Sequence, residues 1–108
     1  MPPQTPSRYT EIYKPMREQA DKLQRQFHDF TGGSFKDPHA KLLKTEMQNL
    51  VDEIDSRQTP SGLDFRIKTI QNNLRQAKNS PKPFMEHAHY DYMHHSYENM
   101  RLGMHKFE

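Results

Sequence analysis

The densest run of chemically capable side chains is His87-Ala88-His89-Tyr90-Asp91-Tyr92-Met93-His94-His95-Ser96-Tyr97-Glu98. Residues three or four apart share one side of a helix. His87, Asp91, His94 and Glu98 meet that spacing. Imidazole and carboxylate are suitable ligands for zinc, nickel, copper or ferrous iron. These four residues are therefore the candidate ligands for a divalent transition metal. Glu86 with His89, and Asp91 with His94, also show the carboxylate-x-x-His spacing of di-iron bundles. Such bundles draw matching carboxylates from other helices, and here one helix carries the motif. The competing expectation is a solvated polar face whose carboxylates keep the histidines protonated. His28 and His39 stand alone and are expected to be exposed.

A second set is basic. Lys68, Arg75 and Lys82 recur every seven residues, with Gln71, Asn72 and Asn79 between them. Lys and Arg neutralise phosphates, and Asn and Gln can read adenine edges. Thr59-Pro60-Ser61-Gly62 would allow a helix-turn-helix arrangement with the preceding helix. The competing expectation pairs this stripe with Glu46, Asp52, Glu53 and Asp55.

A third set is apolar. Tyr90, Met93, Tyr97, Met100 and Met104 fall on one side of a helical wheel, and His87, Asp91, His94, Glu98 and Arg101 on another. Tyr and Met are enriched in interface cores, so the Tyr/Met stripe is the candidate seam for self-association or for a partner protein. The alternative is that it closes the chain's own core.

Signals for catalysis are missing. There is no Cys, and no serine lies in a Gly-x-Ser-x-Gly context. Gly32-Gly33-Ser34 lacks the Lys-Ser/Thr of a phosphate loop and reads as a helix cap. The expectation is a non-enzyme with no resident cofactor beyond the candidate metal.

The elements that must position these sets are helical. The chain has 108 residues, too few for two domains, and its hydrophobic share of 31% is low. Met and Tyr supplement the core. No apolar run approaches the roughly 18 residues of a membrane-spanning helix. With no Cys and no secretory leader, a cytoplasmic location is expected. Charge is uneven: residues 56–83 carry six basic and one acidic side chain, and five of the seven His lie beyond residue 83.

Residues 1–8 read as an extended Pro-rich arm. Apolar spacing of three and four predicts helices over about 11–31, 38–57, 63–79 and 84–102. The first carries Ile12, Met16, Ala20, Leu23, Phe27 and Phe30, with Pro15 at its first turn or at a kink. Asp37-Pro38 marks the second start, an N-cap followed by a proline at the first helical position. Leu43, Met47, Leu50 and Ile54 form that helix's stripe, flanked by Leu42 and Val51. Leu63, Ile67, Ile70, Leu74 and Ala77 form the third. The fold class expected is a small all-α antiparallel bundle of three or four helices in one domain.

Leu23, Phe27, Phe30-Thr31-Gly32, Leu50, Ile54-Asp55, Ile70-Gln71 and Leu74 are spaced loosely like the three-helix BAG domain of chaperone regulators. The third helix comes too early for that family, and the basic pair before Ile-Gln is missing. The shared positions are generic to bundles and assign no family. The function expected is a non-enzymatic helical interaction module that self-associates through the Tyr/Met helix or binds another protein. Metal binding and nucleic-acid binding are the alternatives.

Overall fold

The computed structural model describes residues 12–105. The expected Pro-rich arm lies outside them. Four helices follow one another: α1 Lys14–Phe30, α2 Pro38–Asp55, α3 Pro60–Lys78 and α4 His87–His105. They form an all-α antiparallel bundle in which α1 packs on α2 and α4, and α3 packs on α2 and α4. Tyr13 donates its hydroxyl to the Gln58 carbonyl at 2.7 Å, which sets the start of α1 beside the end of α2. Lys78–Asp91 and Asp64–Arg101 contacts align α3 and α4 head to tail in the same way.

Local chemistry sets the helix ends. Asp37 accepts from the His39 and Ala40 amides, capping α2 ahead of Pro38. Thr59 does the same for α3 by accepting from the Gly62 amide, with Pro60 at the first position. Helix α3 thus starts three residues before the predicted Leu63. Pro15 sits in the first turn of α1, where its missing N–H costs nothing. Two ends share one geometry. Gly32 (φ 67°) follows α1, and Gly33 donates back to the His28 carbonyl at 2.9 Å. Arg57 (φ 61°) follows α2, and Gln58 donates back to the Glu53 carbonyl at 3.0 Å. Both are left-handed terminations that pair otherwise orphaned carbonyls.

Helix α4 begins three residues later than predicted. The buried Tyr90 hydroxyl accepts from the Phe84 and Met85 amides, holding that stretch out of the helix. The connections are tied to the core by aromatic rings. Phe35 and Phe84, one from each long connection, both pack on Phe27 with ring centroids 5.8 and 5.9 Å away. Phe27 thereby fastens both loops at one end of the bundle. The remaining core is built from the predicted stripes, with Leu23, Leu43, Leu50, Leu63, Ile67 and Ile70 fully buried. Leu42 departs from expectation and is 44% exposed.

Candidate functional site

Two of the sequence-predicted sites meet each other along the seam between α3 and α4. From α3 come Asp64, Lys68, Gln71, Arg75 and Lys78; from α4 come Asp91, His94, Glu98, Arg101 and His105. Lys78 binds Asp91 at 2.7 Å. Arg75 lies 3.4 Å from His94 Nε2. Gln71, itself buried, donates to Glu98 at 3.0 Å and to the His94 carbonyl at 3.3 Å. Arg101 links Glu98 at 2.8 Å to Asp64 at 3.2 Å. Asp64 also takes Lys68 at 3.2 Å and His105 at 2.7 Å.

This pairing uses up the chemistry that the metal prediction needed. The Arg101 guanidinium and Gln71 amide pull the Glu98 carboxyl down to about 2. The Lys78 ammonium lowers Asp91. Burial and then the Arg75 charge hold His94 below the ordinary imidazole value. Hydrogen bonds from His105, Arg101 and Lys68 lower Asp64, outweighing the larger opposing effect of its burial. His87 is exposed in the first turn of α4. His87, Asp91, His94 and Glu98 are thus spread along a seam of cations. Among the described residues no three His, Asp or Glu side chains group to hold a metal ion.

The basic stripe is also divided. Arg75 turns toward His94 on α4, and Lys68 is exposed and pairs with Asp64 one turn back on α3. Lys82 lies beyond the end of α3, in the connection to α4. Arg66 faces the other neighbour and bridges Glu46 at 2.7 Å and Glu53 at 2.8 Å on α2. Arg66, outside the stripe, thus makes the pairing with Glu46 and Glu53 expected of Lys68, Arg75 and Lys82.

The Tyr/Met stripe closes the chain's own core. Tyr90, Met93, Tyr97, Met100 and Met104 are all buried, with Tyr97 and Met93 at 0% exposure. A partner reaches these side chains only by opening the bundle. A partner surface must be sought elsewhere.

A concave surface lies between α1 and α2, a groove of about 590 Å³. Lys41 and Lys44 come from α2 one turn apart, with Thr45, Gln48 and Asn49 beside them, and Gln24 faces them from α1. Gln24 donates to Gln48 at 2.9 Å, and Gln48 donates to Asp52 at 3.0 Å. Phe35 forms one wall, and the Lys44 ammonium sits 4.5 Å from its ring centroid. A notch of about 130 Å³ adjoins the groove through Gln24, Phe35 and Lys44, and Phe27 and Met47 supply its apolar lining. Among the described residues lining the groove and notch there is no carboxylate. Sequence periodicity could not reveal this site. Lys41 and Lys44 were not singled out from the sequence, and the wall is a loop phenylalanine.

Comparison with protein-family models, with curated proteins and with solved structures gives no match. The chemistry of these surfaces therefore carries the functional reading. No described helix is long and apolar enough to cross a membrane.

Proposed function

We propose that this chain is a small non-enzymatic interaction module that docks a segment of a protein partner in the groove between α1 and α2. The observation that carries the reading is the groove itself: a concave surface lined by amide, hydroxyl and ammonium groups, with a notch at one side whose lining includes Phe27, Phe35 and Met47. Protein segments are recognised by that combination, an anchoring pocket plus polar groups that fix orientation. The α3/α4 seam supports no comparable reading, because its charged groups satisfy one another.

The test is selection of short random peptides displayed on phage against the native chain, followed by binding to Thr45→Trp. Thr45 is exposed and lines the groove, so an indole there obstructs it without touching the core. Peptides that bind the native chain and lose Thr45→Trp support the reading. A selection that yields none, or only peptides indifferent to Thr45→Trp, refutes it.

A further inference from the structure

From the charge and shape of the same groove, and resting on the docking reading above, we infer that its occupant is a short acidic segment carrying one aliphatic anchor. Lys41 and Lys44 are one helical turn apart and both line the groove. Two ammonium groups so placed suit a pair of carboxylates on one extended or helical segment. No described carboxylate in the lining competes for them. Gln24 and Gln48 are tied to each other and to Asp52, which leaves the Thr45 hydroxyl and the Asn49 amide of the lining for the segment's backbone. The notch beside Lys44 is lined by Phe27, Phe35 and Met47 together with Gln24 and His28, and its volume of about 130 Å³ has room for one aliphatic side chain.

The charges around the groove limit the length of the anionic stretch. Gln48 hands on to Asp52, and Arg17 holds Asp55 at 2.9 Å on the same α1/α2 seam. Asp21 lies on that seam too, next to Arg17 at 3.9 Å. The basic stretch is therefore bounded by carboxylates toward the C-terminal end of α2. A segment whose few acidic residues sit beside Lys41 and Lys44 avoids them. A long polyanion such as nucleic acid would run from the lysines into Asp52 and meet repulsion.

The experiment reads the composition of peptides selected on the native chain and blocked by Thr45→Trp, then titrates them against the Lys41→Glu/Lys44→Glu variant. Both lysines are exposed, and circular dichroism verifies that the variant keeps its helices. The expected result is enrichment of Asp and Glu around a single Leu, Ile or Met. Affinity should fall by about tenfold or more in the variant and weaken with added salt. Replacing the anchor by Ser should also weaken binding. Groove-dependent peptides that are neutral or basic, or that bind the variant equally well, overturn this inference and leave the docking reading standing. A lack of any Thr45→Trp-sensitive peptide overturns both. A single-stranded oligonucleotide that displaces the selected peptides at equal concentration transfers the groove to nucleic acid and overturns the inference.

Discussion

Tyr90 and Tyr97 lie two turns apart on the same buried side of α4, yet their hydroxyls have opposite fates. The Tyr90 oxygen accepts two backbone amides, from Phe84 at 2.9 Å and Met85 at 3.3 Å. The Tyr97 oxygen is buried with no hydrogen-bond partner. Burial accordingly pushes the Tyr97 phenol far above its ordinary pKa. An unpaired buried hydroxyl costs free energy, whereas losing a paired one strands its partners. Tyr97→Phe should leave stability unchanged or raise it by about 1–2 kcal/mol. Tyr90→Phe should lower it by about 1–3 kcal/mol, because two amides lose their acceptor. Urea titrations followed by circular dichroism measure both. A Tyr97→Phe protein less stable than wild type would contradict the assignment.

Stability should fall in two stages on acidification, and the α3/α4 seam sets both. His94 titrates below the ordinary imidazole value, through burial first and Arg75 second, partly offset by Glu98 and Asp91. A lowered folded pKa means that the unfolded chain binds the proton more readily. The contribution is complete above about pH 6.5 and is lost as pH falls through the folded value. Glu98, Asp64 and Asp91 are also lowered in the folded state. Their contribution is complete above the ordinary carboxyl range and disappears below it, toward about 2 for Glu98. His94→Gln keeps an acceptor for Arg75 without a titrating ring. That variant should lose the upper stage and keep the lower one. Melting temperature recorded from neutral to acidic pH decides it: an unchanged upper stage in His94→Gln would mean another group causes it.

The sequence patterns predicted the helices because three-and-four spacing needs no knowledge of partners. The start of α2 was legible in Asp37-Pro38. The equivalent Thr59-Pro60 was obscured by Gly62, which reads as a breaker but donates its amide to Thr59 at 3.2 Å inside the first turn. The functional surfaces were harder to foresee for a different reason. A helical wheel shows that His94 and Glu98 share a side, and that Gln71, Arg75 and Lys78 do. It does not show that the two sides face each other, which depends on how α4 returns along α3. Phe35 and Phe84 lie in connections, where no periodicity marks a residue as core. The docking groove needs Phe35 as its wall, so it lay outside the reach of any single-helix pattern.

Removing metal should leave the protein unchanged. Asp91 is held by Lys78, and Glu98 by Arg101 and Gln71, so the carboxylates of the sequence-predicted set already have cationic or amide partners. A divalent ion would have to displace those partners. Melting curves of untagged protein with and without a strong chelator should superimpose. Metal analysis of the purified chain should find far less than one ion per chain. A lower melting point in chelator would show that the seam opens to admit an ion.

Gly32 and Arg57 offer a comparison of one backbone geometry with two residues. Both have positive φ just past a helix end, 67° and 61°, and both precede an amide that donates back into the helix. A Cβ at Gly32 would meet nothing within 4 Å, so Gly32→Ala tests the backbone alone. The left-handed conformation costs a non-glycine residue about 1–2 kcal/mol, partly offset by a stiffer unfolded chain. Gly32→Ala should therefore destabilise by about 1 kcal/mol. Arg57 already bears that strain, and its guanidinium reaches the Asp55 carbonyl at 3.2 Å and lies 5.7 Å from the Tyr13 ring centroid. In Arg57→Gly the relieved strain is opposed by a looser unfolded chain and by lost contacts worth about 0.5 kcal/mol at an exposed site. The variant should lie within about 0.5 kcal/mol of wild type. Paired urea titrations of the two variants give the comparison. Equal losses at both positions would mean that the contacts of Arg57 hold the end of α2 more strongly than its backbone strain opposes it.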